Sequence, residues 1–134
     1  MITHETKIRV RYGDTDKMGY VYYGNYPLFY EQGRTELMRA IGMSYRQLEE
    51  SGVMLPVQYM ETEYLKPAFY DDLLTVKTMV REMPTARITF HYEIYNDKGE
   101  LLNRGRTDLV FVNAGTMKPI RPPAAFLKLF ERSL

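Results

Sequence analysis

The chain has 134 residues but no cysteine, no tryptophan and only two histidines. Without cysteine it has no disulfide, no thiolate zinc site, no iron–sulfur cluster and no cysteine nucleophile. Two histidines are too few for a multi-histidine metal centre. Serine occurs only at Ser44, Ser51 and Ser133, never in a Gly-x-Ser-x-Gly elbow, so a Ser-His-Asp hydrolase is not expected. Any chemistry must therefore use carboxylates, backbone groups or a bound cofactor.

Charge and hydropathy narrow the class of protein further. Eighteen Lys and Arg residues stand against seventeen Asp and Glu, a net charge of +1, which is not typical of a dedicated nucleic-acid binder. The longest aliphatic and aromatic run, residues 109–112, is far too short for a membrane span. No repeat or linker divides the chain. We expect one soluble, cytoplasmic domain over residues 1–134 that binds no nucleic acid and does not span a membrane.

The first third of the sequence predicts a strand, a turn and a long helix. Residues 7–12 alternate with period two, as a short strand does, and residues 13–19 are rich in turn formers. From residue 25 onwards, apolar residues form one stripe of an α-helix that Gly42 would end. Gly33, in the middle of this stripe, lowers helix stability by about 1 kcal/mol relative to Ala. We interpret Gly33 as a point where the helix closely approaches a sheet.

The remainder reads mainly as strands. Ser44 and Gln47 have the spacing of a capping box, which predicts a second, short helix. Alternating segments then predict four strands, over residues 57–66, 73–83, 87–96 and 101–113. Pro122 and Pro123 precede a predicted short helix over residues 124–132. Short loops between the strands predict an antiparallel meander. The fold class is α+β, with one long helix wrapped by a curved antiparallel sheet of about five strands. The exposed edges of so small a sheet favour pairing with another copy.

The segment before the long helix is the most informative for function. Asp14 and Asp16 lie in a loop together with Gly19 and Gly24, which allow backbone to approach a ligand closely. Free N–H groups at a helix start suit the stabilisation of an oxyanion, and a neighbouring carboxylate supplies a nucleophile or base. The alternative is that both aspartates are turn and capping residues. A divalent cation site is a further alternative, although it would need more ligands than two carboxylates.

Residues 12–26 follow the pattern Tyr-x-Asp-Thr-Asp-x-x-Gly-x-Val-Tyr-x-x-Asn-Tyr. This run resembles the hotdog-fold acyl-CoA thioesterases, most closely the branch of 4-hydroxybenzoyl-CoA thioesterase and the YbgC-like proteins. The resemblance continues at residues 29–31 and 34–36, and softer matches follow at residues 70–76 and 118–123. The resemblance implies a hotdog fold, hydrolysis of acyl-CoA without a cofactor or a metal, and homodimers that often assemble into homotetramers.

The resemblance also implies roles for individual residues. Asp16 matches the catalytic carboxylate, which would attack the thioester carbonyl or activate a water molecule. Tyr23 matches the position whose backbone N–H forms the oxyanion hole; YbgC-like members often carry His there, but the role belongs to the backbone. Gly19 would permit a tight approach, and Asp14 would brace the loop.

Contacts to coenzyme A rest on the basic residues. Arg87, at the end of the loop between the second and third long strands, is the leading candidate for a phosphate contact, followed by Arg104, Arg106 and Lys66. The alternative for each is a solvated charge on a strand. Alternation places Arg104, Arg106 and Asp108 on one face, so Asp108 could pair with one of these arginines.

Other residues have plainer interpretations. His91 is expected at the surface or a subunit interface, and ion pairs three residues apart are expected among Glu31, Arg34 and Glu36. Tyr20, Tyr22 and Tyr59 are candidates for the pocket lining. Two other functions stay open: hydrolysis of acyl-carrier-protein thioesters, and non-catalytic binding of acyl-CoA or lipid.

Overall fold

The computed structural model describes residues 1–133 as a five-stranded antiparallel sheet with one long helix on one face. The strands are β1 (Ile2–Arg9), β2 (Val53–Met54), β3 (Val57–Tyr64), β4 (Leu73–Val80), β5 (Arg87–Tyr95), β6 (Leu101–Val110) and β7 (Val112–Asn113), and the helices are α1 (Tyr26–Ile41), α2 (Tyr45–Glu50) and α3 (Ala124–Ser133). The predicted fold class is confirmed. None of the helices in this part of the chain is long and apolar enough to cross a membrane.

The order of the strands differs from the predicted meander. The sheet runs β1-β4-β5-β6-β3, so the meander is right for β4, β5 and β6 and wrong for β3, which pairs with β6. Residues 65–72 carry the chain from one edge of the β4–β5–β6 unit to the other. Neighbouring strands lie roughly 4.8 Å apart, so this crossing needs only about 15 Å, which eight residues span easily. The short connection between β3 and β4 therefore does not require these two strands to be neighbours in the sheet.

The observed strand boundaries also differ from the predicted ones, and the pairing of the strands explains the difference. β1 begins at Ile2 instead of residue 7, because β4 offers a partner to every residue from Ile2 to Arg9. The predicted strand over residues 101–113 is divided at Phe111 into β6 and β7, and β7 pairs with β2 in a separate small sheet. Sequence alternation alone does not report these partners.

The long helix has the predicted bounds and the predicted contact with the sheet. α1 ends at Gly42, whose φ of 113° lies in the left-handed region that favours glycine. Gly33 lies against β4: an added Cβ would come within 2.9 Å of Val76 Cγ1 and closer still to Thr78 Oγ1. The close approach expected at Gly33 is therefore confirmed.

The predicted ion pairing of Arg34 is wrong. Glu36 pairs with Arg39, whereas Arg34 is buried, and its guanidinium donates to the hydroxyls of Tyr45 at 3.1 Å and Tyr92 at 3.5 Å. Arg34 follows Gly33 on the side of α1 that faces the sheet. A side chain in that position meets the hydroxyls of Tyr45 and Tyr92 before it can reach a carboxylate on the exposed side.

The face of the sheet opposite α1 carries a row of alternating charges. Glu5, Lys77, Glu93, Arg104 and Glu63 are consecutive register partners across β1, β4, β5, β6 and β3. Opposite charges directly across neighbouring strands stabilise pairing. This row favours one register for the whole sheet. The cavity described below lies on the opposite face of the sheet, on the side of α1.

Candidate active site

A cavity of about 380 Å³ lies between the loop that precedes α1 and the end of β3. Its lining is mostly aromatic and apolar, with Tyr20, Tyr23, Tyr26 and Tyr64 among its walls. Two charged side chains, Asp16 and Lys66, also reach it. The fold thus brings together Asp16 and Tyr23, the two residues on which the sequence interpretation depended most.

A small turn holds the carboxylate of Asp16. The Asp16 amide donates to the Tyr20 carbonyl and the Gly19 amide donates to the Asp16 carbonyl, both at 3.0 Å. Oδ1 of Asp16 accepts from the Met18 amide at 2.9 Å, whereas Oδ2 has no hydrogen-bond partner within residues 1–133. Gly19 has a φ of 87° and does not line the cavity, so the structure gives it a role in closing the turn. One oxygen of the half-buried Asp16 carboxylate is fixed and the other is available.

Asp14 braces the same loop, as expected. Its buried carboxylate accepts from the Arg11 backbone amide at 2.9 Å and pairs with the Arg11 guanidinium at 3.1 Å. Burial alone would raise the pKa of Asp14, but the hydrogen bonds and charge of Arg11 outweigh it and lower that pKa. The Asp14 carbonyl accepts from the Tyr22 amide and from Nδ2 of Asn25. Asp14 therefore ties the Asp16 loop to the start of the helix.

Two backbone N–H groups just before α1 donate no hydrogen bond within the turn or the helix. Residues Tyr23–Asn25 form a 3-10 turn that continues into α1, and the first hydrogen bond of this turn runs from the Asn25 amide to the Tyr22 carbonyl at 2.9 Å. The amides of Tyr23 and Gly24 precede that bond and donate to no other group in the described chain. They stand at the positive end of a sixteen-residue helix. This arrangement can stabilise negative charge on an oxygen atom.

The tyrosines of the cavity form a connected aromatic wall. The Tyr64 ring meets the rings of Tyr23 and Tyr26 edge to face, with centroids 6.4 and 5.3 Å apart, and its hydroxyl donates to the Tyr23 carbonyl at 3.0 Å. Burial raises the pKa of Tyr26 to about 12, so its phenol stays neutral. Of the three tyrosines proposed from sequence, only Tyr20 lines this cavity.

Sequence reasoning missed Tyr26 and Tyr64 as lining residues. Tyr26 belongs to the apolar stripe of α1, and nothing in that pattern separates a residue packed in the core from one that also touches a cavity. Tyr64 comes from a strand about forty residues away in sequence. Its placement depends on β3 lying at the edge beside β6, which the predicted meander did not contain.

The basic residues separate into two groups. Lys66 lines the cavity, and its Nζ pairs with Glu100 at 2.7 Å. Arg87, Arg104 and Arg106 belong instead to the face opposite α1, because they alternate with the residues of β5 and β6 that pack in the core. None of these three arginines lines the cavity that contains Asp16.

The three arginines are engaged in ion pairs. Arg104 pairs with Glu63 at 2.5 Å, while Arg106 and Arg87 lie 3.0 and 3.6 Å from the buried carboxylate of Asp108. The predicted pairing of Asp108 with an arginine is confirmed. Burial would raise the pKa of Asp108, but its hydrogen bonds from Arg106 and Thr89 lower it.

His91 lies among these arginines. It is the register partner of Arg106, on the face opposite α1, and it is half-buried. Burial lowers the pKa of His91, and the positive charges of Arg81 and Arg106 lower it further. Neither histidine lines the cavity that contains Asp16.

Comparisons with known proteins find relatives that cover nearly the whole chain. A family model described as the thioesterase-like superfamily matches residues 10–130. The chain is 35% identical over 125 residues to the acyl-CoA thioester hydrolase YbgC of Escherichia coli, covering 93% of each chain, and 34% identical to the acyl-CoA thioesterase YbgC of Haemophilus influenzae, covering 87% of this chain and 85% of that protein. Among solved structures, the DHNA-CoA thioesterase from Staphylococcus aureus superposes with a TM-score of 0.94 at 36% identity, covering 98% of this chain and 91% of the other.

Proposed function

Because the chain belongs to the thioesterase-like superfamily, we propose that it is an acyl-CoA thioesterase that hydrolyses acyl-CoA to a free acid and coenzyme A. The observation that carries the proposal is the shared cavity. Asp16 offers there a carboxylate oxygen that has no partner among residues 1–133, and the Tyr23 amide begins the 3-10 turn that continues into α1. A thioester carbonyl placed between them would meet a nucleophile or base on one side and a hydrogen-bond donor on the other.

Two routes through Asp16 share these groups. In the first, a carboxylate oxygen attacks the thioester carbon, the C–S bond breaks, and coenzyme A leaves as a thiolate that takes up a proton. Water then hydrolyses the acyl–aspartyl anhydride, which releases the acid and restores Asp16. In the second route, Asp16 removes a proton from a water molecule as that water attacks the carbonyl, and the tetrahedral intermediate then breaks its C–S bond to give the acid and a coenzyme A thiolate that takes up the proton held by Asp16. A single-turnover reaction in H₂¹⁸O separates the routes if label enters the Asp16 carboxylate, which only the anhydride route permits.

The activity is tested by thiol release from acetyl-, hexanoyl-, palmitoyl- and benzoyl-CoA. A thiol-reactive dye suits this protein, because a chain without cysteine gives no background signal. Asp16→Asn should lower kcat at least about 10²-fold. The matched control is Asp97→Asn, the same chemical change on the exposed hairpin after β5, which should leave turnover at the wild-type value. Full activity in Asp16→Asn would contradict the proposal. Faster turnover of the same acyl groups on acyl carrier protein would favour that substrate, and binding without hydrolysis would favour a binding module.

Lys66 is the basic residue best placed to meet a phosphate of coenzyme A, because it alone of the four candidates lines the cavity. We expect Lys66→Met to raise KM for acyl-CoA but not for the matching acyl-pantetheine, which lacks the nucleotide phosphates. An equal rise for both substrates would contradict a phosphate contact. Arg87, Arg104 and Arg106 would reach coenzyme A in this cavity only from a second copy of the chain.

A homodimer, assembling further into a homotetramer, is the proposed assembly. β3 is an edge strand with every residue at least partly exposed, and it includes apolar side chains such as Val57, Tyr59 and Met60. An exposed edge with this composition favours pairing with another strand. Sedimentation should therefore give two or four times the 15.8 kDa mass of one chain, and a monomer at all concentrations would contradict the assembly.

A further inference from the structure

The hydroxyl of Tyr64 connects an edge strand to the turn that begins the long helix. Tyr64 is the last residue of β3, an edge strand that pairs with β6. Its hydroxyl donates to the backbone carbonyl of Tyr23 at 3.0 Å, and its ring packs against the rings of Tyr23 and Tyr26. One side chain of the sheet therefore contacts the start of the helix through both a hydrogen bond and aromatic packing.

The Tyr23 carbonyl lacks the donor that an α-helix would normally provide. In an α-helix each carbonyl accepts from the N–H group four residues later. For Tyr23 that residue is Pro27, which has no N–H group. Proline is well suited to the first turn of α1, but it gives this carbonyl no donor four residues later, so one of the two lone pairs of the carbonyl is open to a donor from outside the helix. Tyr64 supplies that donor.

The hydrogen bond matters because of the peptide group that receives it. The carbonyl of Tyr23 and the N–H of Gly24 belong to the same peptide unit. A hydrogen bond accepted at the carbonyl polarises the unit and makes its N–H a stronger donor. It also restricts rotation of that peptide. The Gly24 N–H, like that of Tyr23, precedes the first hydrogen bond of the turn.

We propose that Tyr64 is a positioning residue for thioester hydrolysis. It orients and polarises the Tyr23–Gly24 peptide so that the Gly24 N–H joins the Tyr23 N–H in stabilising the oxyanion. The inference rests on the proposed function, since it concerns the same site. Tyr64 transfers no proton and forms no bond to the reacting atoms in this role, because it acts through the peptide group.

Kinetics of Tyr64→Phe test the role of the hydroxyl, since this variant keeps the ring and removes only the oxygen. With whichever of the four acyl-CoA probes has the highest kcat/KM, we expect kcat to fall about three- to tenfold while KM stays within about twofold. Tyr95→Phe is the matched control, because Tyr95 lies on β5, away from the cavity, and its hydroxyl donates to Glu93 at 3.0 Å. It should match the wild type. An unchanged kcat in Tyr64→Phe, or a change confined to KM, would overturn the inference.

A spectroscopic measurement reads the carbonyl directly. In Asp16→Asn, the infrared band of the same acyl-CoA labelled with ¹³C at its carbonyl should shift to lower frequency on binding. Adding Tyr64→Phe should move that band part of the way back towards its position in free acyl-CoA, whereas adding Tyr95→Phe should not. A band unmoved by Tyr64→Phe refutes the role assigned to Tyr64. If Asp16→Asn is inactive and Tyr64→Phe behaves as wild type, only the inference fails; full activity in Asp16→Asn refutes the proposed function as well.

Discussion

Replacing Gly33 with alanine tests whether the missing side chain sets the distance between α1 and the sheet. Two effects of opposite sign compete in this variant. Alanine is a better helix former than glycine by about 1 kcal/mol, which would stabilise α1 if nothing lay opposite. An added Cβ, however, would lie 2.9 Å from Val76 Cγ1 and closer still to Thr78 Oγ1, and real Cβ atoms essentially never show contacts under 3.0 Å.

The steric effect should dominate. Val76 and Thr78 are fully buried, so relief of the contact requires α1 to move away from β4 by several tenths of an ångström. Overpacking of a core site costs roughly 1–3 kcal/mol, which exceeds the gain in helix propensity over most of that range. We expect Gly33→Ala to lower the free energy of unfolding by about 1–2 kcal/mol, measured by urea denaturation.

The same displacement should reach the candidate active site. α1 carries the Tyr23 and Gly24 amides at its start, and a misplacement approaching 1 Å can reduce a catalytic rate by up to about 10²-fold. We therefore expect kcat to fall at temperatures where Gly33→Ala remains fully folded, with thiol release as the assay. A stable variant with reduced kcat would link the helix–sheet distance to catalysis.

Two controls make the test specific. Gly13→Ala adds a Cβ that meets nothing within 4 Å, so its stability should change by no more than about 0.5 kcal/mol. In a Thr78→Ala background the atom nearest to the new Cβ is gone, so Gly33→Ala should cost less than it does alone. A Gly33→Ala protein as stable as the wild type, or more stable, would refute this reasoning, because helix propensity would then have outweighed the contact.

Two further predictions concern the charged face of the sheet. Because the pKa of His91 is lowered in the folded protein, protonation favours the unfolded chain, so the free energy of unfolding should fall as the pH drops below the ordinary His value of 6.5. Between pH 7.5 and about pH 5 the wild type should lose more unfolding free energy than His91→Gln, and equal losses would contradict the lowered pKa. Asp108→Asn removes the buried carboxylate that pairs with Arg106 and Arg87, and it should lower the free energy of unfolding by about 1–3 kcal/mol in urea denaturation. The control Asp97→Asn should lower it by no more than about 0.5 kcal/mol. A loss in Asp108→Asn no larger than that of the control would show that solvent satisfies both arginines.

Local patterns in the sequence predicted much of the fold. The stripe from Tyr26 to Ile41, ended by Gly42, predicted α1 closely, because helix periodicity and a left-handed terminus are properties of neighbouring residues. The capping box of Ser44 and Gln47 is present as predicted for the same reason. The turn before α1 is likewise local.

The pairing of strands was less accessible, because alternation reports which face a residue occupies but not which strand lies beside it. β3 was predicted to neighbour β4 and instead pairs with β6. Arg34 shows the same difficulty within a helix. Its spacing to Glu31 fits an ion pair, but the buried hydroxyls of Tyr45 and Tyr92, which it contacts instead, come from other elements.

The sequence by itself determined the chemistry available to this protein. Having no cysteine, few serines and two unclustered histidines, it left carboxylates and backbone amides as the groups for hydrolysis, and the run from Tyr12 to Tyr26 placed both beside a helix start. Only the tertiary structure decided what surrounds them. The edge position of β3 brings Tyr64 to the Tyr23 carbonyl and Lys66 to the cavity, while it leaves Arg104 and Arg106 on the opposite face. Such long-range contacts depend on the order of strands in the sheet, and that order is a property of the whole chain.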